Sequence, residues 1–256
     1  TDTKHQVVND SQLVLLNAID EIRSQVVDEL VGRIFRGVAE HEVGHSIGLR
    51  HNFEGSTDAL NFGEDYWKLK GQFDDAGEFQ AYDMFAPETY YQSKNGLRQL
   101  QSASVMDYSA KFNDRFSGVG YYDRAAIRYG YGGLVEVFNS DPNVAKFDAY
   151  MENPQTADPN NVPVLPDIGS TYIERMFKRV HYTNIPELFP NDLAKLYDRS
   201  LVPASSITES GKDASGRWEV PYRMCSDELA GKLPTCERWD SGVDSYEIVR
   251  NTLMDY

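Results

Sequence analysis

From Asp10 onward, apolar residues recur three and four positions apart: Leu13, Leu16, Ile19, Ile22 and Val26. That is the period of a helix with one apolar face, and Asp10 or Ser11 stands where a capping side chain is expected. A second stripe, Leu30, Ile34, Phe35 and Val38, runs directly into His41. Gly32 and Gly37 interrupt it, each at a cost of about 1 kcal/mol relative to Ala. Residues 53–100 lose the period and are rich in Gly, Asp, Tyr and Gln, which predicts a long decorated loop carrying short helices. The run GYYDRAAIRYGY at 120–131 predicts a helix starting at Tyr121 or Tyr122 and ended by Gly130 and Gly132.

Farther on, residues 139–168 hold many Pro, Asn and Asp, and are expected to form a long surface excursion. Residues 169–202 read as helical, broken at Pro186 and Pro190, and residues 203–240 are punctuated by turn signals. Tyr246 to Met254 predicts a short terminal helix. Strand signals are few: Trp218 to Tyr222 is a candidate, interrupted by Pro221. The pattern predicts a mainly α fold with long loops.

Composition narrows the classes. The 256 residues are 41% hydrophobic, enough for a core, and carry a net charge of −15. That charge argues against nucleic acid as a partner, because phosphate binding needs clustered Lys and Arg. No apolar run approaches the roughly 18 residues needed to span a bilayer. The two cysteines, Cys225 and Cys236, lie close in sequence. They are a candidate disulfide suited to an oxidising compartment, or else two buried thiols. The chain starts at Thr1 without an initiator Met, so a processed form or a piece of something longer is expected.

The strongest chemical signal is HEVGHSIGLRH at 41–51. His41 and His45 are four apart, so a helix projects both imidazoles from one face, close enough for both to reach one zinc. Glu42 is rotated away from that pair, placed to reach a water rather than the metal. Gly48 follows three residues after His45, where a glycine ends a helix with positive φ and turns the chain. The turn is expected to return His51 as a third ligand, leaving a fourth position open. Three of the five histidines fall inside this motif.

The motif resembles the metzincin clan of zinc endopeptidases, whose HExxHxxGxxH is followed by a Met-turn. SVMDY at 104–108 is similar to that turn, and the resemblance implies that Met106 forms an apolar floor beneath the ligands. It also implies that Tyr108 binds the metal reversibly or hydrogen-bonds the oxyanion; a buried tyrosine with a satisfied hydroxyl is the other reading. HEVGHSIGLRHNF, SVMDY and YYDRAAIRYGYG together look closest to large bacterial zinc-dependent peptidases of poorly defined function. The likeness is specific over about residues 36–132 and weaker beyond.

Metzincins build the upper wall of the cleft from a mixed sheet that precedes the zinc helix. Here only 40 residues precede His41, and they read as helical. The upper sheet is therefore expected to be missing, with this chain the C-terminal portion of a longer precursor. Two regions are expected: 1–135, with the zinc helix and Met-turn, and 136–256, a helical and loop extension packed on it. The implied activity is a secreted, periplasmic or cell-surface zinc endopeptidase acting on peptide or protein substrates, with Glu42 as general base. A hydrolase of another amide or of peptidoglycan peptides is a second enzyme reading. A catalytically incomplete zinc-binding fragment, or a binding module of a larger secreted protein, is the non-enzyme alternative.

Remaining features weigh less. Asp107 is a candidate orienting partner for a histidine, or a structural acid. Asn52 fixes the turn after the third ligand or is solvated. Asp74, Asp75, Glu78 and Asp83 lack the spacing of a calcium loop, so calcium is unsupported and a solvated loop is expected. Arg124 and Arg128 predict surface ion pairs of little energetic weight. His181 is isolated and reads as structural, and His5 lies in a frayed end.

Overall fold

The computed structural model describes residues 10–71, 88–108, 118–142, 188–189, 192–232, 235–240, 242–243 and 245–254. The acidic stretch 74–83, His5, His181, the excursion from 143 on and the segment 169–187 lie outside them. Among the described residues the chain is mostly helical, with one two-stranded sheet.

The two apolar stripes of the N-terminal region form one helix, α1 (Asp10–Ser46). Its surface is laced by i,i+4 pairs, Arg33 with Glu29 and Arg36 with Glu40, both at 2.7 Å, the spacing at which side chains on a helix surface meet. The apolar positions along it stay exposed: Ile22 is 61% accessible and Phe35 73%. Only the C-terminal end is buried, at Gly37, His41 and Gly44.

After α1 the chain enters the stretch read as a decorated loop, and its first part packs inside. Residues 52–62 are buried without a break. Such a segment must satisfy its backbone locally or through side chains. Phe53 N–H donates to Cys225 O, Ala103 N–H to Gly55 O, and Ser56 N–H to the Asp107 carboxylate. Two short helices follow, α2 (Glu64–Lys70) and α3 (Tyr90–Lys94). Thr89 caps α3 with a reciprocal capping box to Gln92.

Helix α4 (Tyr121–Gly132) runs through both glycines expected to stop it; Gly133, at φ +61°, ends it instead. The chain then enters β1 (Leu134–Phe138), which pairs antiparallel with β2 (Arg199–Pro203). That strand corrects the helical reading of 169–202, whose described end is a short 3-10 turn, Leu193–Tyr197, followed by β2. The expected strand at Trp218–Tyr222 is reduced to bridges. Phe138 N–H donates to Trp218 O and Val220 N–H to Glu136 O, and Pro221 then has no N–H to continue the ladder.

The main core gathers Phe62, Tyr66, Leu97, Phe138, Leu196 and Trp218, joining residues from distant parts of the chain. Beside it Glu136 and Arg199, both almost fully buried, pair at 3.3 Å, and Tyr222 donates its hydroxyl to Glu136. Arg128 also reaches Glu136, so its partner is a buried acid rather than a surface one. Among the described residues Arg124 makes no such pair; its guanidinium donates to Val119 O at 3.0 Å. The terminal helix α5 spans Ser245–Met254. No helix of the described residues is long and apolar enough to cross a membrane.

Candidate metal centre

The last turns of α1 carry His41 and His45 on one face. Gly48, at φ +94°, ends the helix: its N–H donates to His45 O and Leu49 N–H to Gly44 O. The reversal brings His51 back beside the first two rings. The three candidate ligand nitrogens lie within 4.8 Å of one another.

Each ring is held through Nδ1. His41 Nδ1 donates to Val105 O at 2.7 Å, and His45 Nδ1 to Leu49 O at 3.0 Å. His51 Nδ1 meets Asp227 Oδ2 at 2.9 Å. Oxygen acceptors on that side place the ring proton on Nδ1 and leave the Nε2 lone pairs for a metal. His45 Nε2 and His51 Nε2 stand 3.2 Å apart. Two bare lone pairs at that distance repel unless a cation or a proton lies between them. Nitrogens sharing a tetrahedral zinc at 2.0–2.1 Å are about 3.3 Å apart. The donor set therefore fits zinc.

The Met-turn builds the underside. Met106 is fully buried, and a Cβ on Gly44 would lie 2.4 Å from Met106 Sδ. A glycine between the two histidines thus lets the helix sit on the sulfur. Met106 O accepts from Asn52 N–H, and Val105 O is the acceptor for His41. Tyr108 OH lies 2.9 Å from His51 Nε2, on the side where a metal would bind. The Tyr108 ring stacks 4.9 Å from Trp239, whose N–H donates to Tyr108 O. Trp239 is 61% exposed and has φ +65°, the one positive φ outside glycine among the described residues. Glu42 is exposed on α1 beside His41.

Helix α4 holds the turn from behind. Asp123, fully buried, accepts from Ser104 Oγ at 2.6 Å, Val105 N–H at 2.8 Å and Gly120 N–H at 2.7 Å. Burial nonetheless pushes its carboxyl up, against the pull of those bonds.

Asp107 orients no histidine. Its Oδ2 accepts from Ser56 N–H, and its Oδ1 is buried without a partner. Burial raises the Asp107 carboxyl to about 7. Asp240 is raised to about 8, first by burial and then by Asp107's charge. Asn52 is fully buried and fastens the turn after His51: Nδ2 donates to Arg223 O, and Oδ1 accepts from Glu54 N–H and Cys225 N–H.

Cys225 and Cys236 are joined in a disulfide, with Cα atoms 5.9 Å apart. The loop it closes contains Asp227, the partner of His51, which no motif singles out. Hydrogen bonding from His51, then from Arg238, holds the Asp227 carboxyl below the usual carboxylate range. The pair spans 176 positions of sequence. The one local hint was the pair of cysteines around it.

No curated protein and no solved structure matches the chain. A family model described as Met-zincin matches residues 23–61, taking in His41, Glu42, His45 and His51 and stopping before the Met-turn. The end of α1 and the turn after it, where the three imidazoles gather in an arrangement that could hold a metal ion, are thus similar to the Met-zincin family.

Proposed function

We propose that this chain is a zinc-dependent endopeptidase. The observation that carries the reading is the trio of Nε2 atoms freed by oxygen partners on every Nδ1, with Tyr108 OH at the same locus. Bound zinc would supply the Lewis acidity that polarises the scissile carbonyl and brings a water's pKa toward about 7.

The chain's own groups do the rest. His41, His45 and His51 would hold the metal. Glu42, one residue after His41 and open to solvent, accepts the proton of the attacking water and later delivers it to the leaving amine. Tyr108 donates its hydroxyl to the oxyanion that develops on the carbonyl. Met106 and Gly44 keep the floor dry and close-packed. The disulfide suits an extracytoplasmic setting.

Glu42→Gln is the test. It should retain zinc and lose about a hundredfold or more of peptide hydrolysis. Zinc retained with undiminished hydrolysis would remove Glu42 from the mechanism.

A second reading rests on α1. Its exposed apolar face, from Val14 to Phe35, favours a metal-binding module that becomes competent when another protein surface covers that face. Cleavage of a peptide library by this chain alone, abolished by a chelator, would count against it.

A further inference from the structure

We propose that Asp227 is a positioning residue for the third metal ligand, and that the Cys225–Cys236 loop is thereby a working part of the metal centre. The inference rests on the reading of the three histidines as a zinc site. It adds a residue that lies outside the HExxHxxGxxH motif and outside the Met-turn.

The three ligands are not oriented alike. His41 and His45 hand their Nδ1 protons to backbone carbonyls, Val105 O and Leu49 O. Leu49 belongs to the motif and Val105 to the Met-turn, so both acceptors come with those two segments. His51 hands its proton to a side-chain carboxylate, Asp227 Oδ2, at 2.9 Å. A carboxylate there fixes the tautomer and ring orientation and makes Nε2 more basic toward a metal.

Asp227 is itself braced. Arg238 Nη2 donates to its other oxygen, Oδ1, at 2.8 Å. The same guanidinium lies over the Phe53 ring, 5.0 Å from its centroid, and Phe53 stacks on His51 at 5.2 Å. The imidazole is thus held by a hydrogen bond on its edge and by a ring on its face, and one arginine steadies both.

The disulfide brings this loop to the site. Cys225 sits two residues before Asp227, and its backbone bonds to the two residues after His51: Cys225 N–H to Asn52 Oδ1 at 3.0 Å, and Phe53 N–H to Cys225 O at 2.7 Å. The bridge to Cys236 closes the loop with Arg238 two residues beyond it. Asp227 is 42% exposed, so replacing it opens no core.

The experiment measures zinc affinity by chelator competition, and the visible spectrum of the cobalt-substituted protein, for the parent, Asp227→Ala, Asp227→Asn and Arg238→Gln. Circular dichroism checks that each variant is folded. Asp227→Ala should bind zinc about tenfold to a hundredfold more weakly and shift the cobalt bands. Asp227→Asn, which keeps an acceptor oxygen without the charge, should fall between it and the parent, and Arg238→Gln should move in the same direction by less. Affinity within about twofold of the parent for Asp227→Ala, with unchanged cobalt bands, would overturn the proposal. A parent that takes up neither metal would overturn the metal-site reading itself, and is distinguished by failing before any variant is compared.

Discussion

At the scale of single residues, the site depends on a few atoms meeting at short range. Gly44 has no side chain because Met106 Sδ occupies that space. The same neighbourhood holds two buried acids, Asp107 and Asp240, each with an oxygen that has no partner. Asp240's carboxyl is raised to about 8 in the fold, whereas in the unfolded chain it ionises near 4. Between those values the folded state binds more protons than the unfolded one, so this group's contribution to stability declines as pH rises from about 4 to about 8. Asp240→Asn keeps an acceptor for Ser56 Oγ and removes that titration. Its stability relative to the parent should increase from pH 5 to pH 8, read as the difference in denaturant midpoints. A difference that stays constant with pH would contradict the assignment.

The gathering of the three histidines was legible in sequence because helix period and one glycine determine their approach: His41, His45, Gly48 and His51 fall within eleven residues. Asp227 and Trp239 were not, because their contacts to His51 and Tyr108 are set by how the chain returns through the disulfide loop. Asp107, left between two roles by the sequence, takes the structural one. Its place in the Met-turn suggested a histidine partner, but the backbone carbonyl of Val105 already fills that role.

At the scale of elements, α4 acts as the clamp on the Met-turn. The backbone of Gly120, at its N-terminus, passes so close to residue 103 that an added Cβ would lie 1.9 Å from Ala103 O. No rotamer change relieves a clash with backbone. Gly120→Ala should therefore destabilise the fold by about 3 kcal/mol, measured by chemical denaturation, and loosen zinc through Val105. An unchanged midpoint would mean that α4 and the turn are not locked together as described. Helix α4 itself was readable from its period, but its end was not: Gly130 and Gly132 continue the helix and Gly133 stops it, since only the last adopts the left-handed conformation. Strands β1 and β2 escaped notice because each is five residues long and their pairing joins positions about 65 apart. Residues 53–62 fall in the stretch read by composition as a decorated loop, and residues 52–62 are buried throughout. They are buried because Asn52, Asp58 and Asn61 bond inward to the 221–225 segment.

At the scale of the whole molecule, the described residues divide into a packed body and a projecting α1. The body joins the Met-turn, α4, the small sheet and the disulfide loop around the end of α1. The remainder of that helix presents Val14, Ile22, Val31 and Phe35 to solvent. Apolar periodicity in the sequence announced the helix correctly but carried no information about whether a partner covers its face. The decisive measurement is the metal content and coordination of the purified chain, by elemental analysis and X-ray absorption. One zinc per chain is expected, with imidazole nitrogens at about 2.0–2.1 Å, lost when His41 and His45 are both replaced by Ala. A chain that holds no zinc after equilibration with it, or that keeps its zinc in the double variant, would contradict the zinc-site reading.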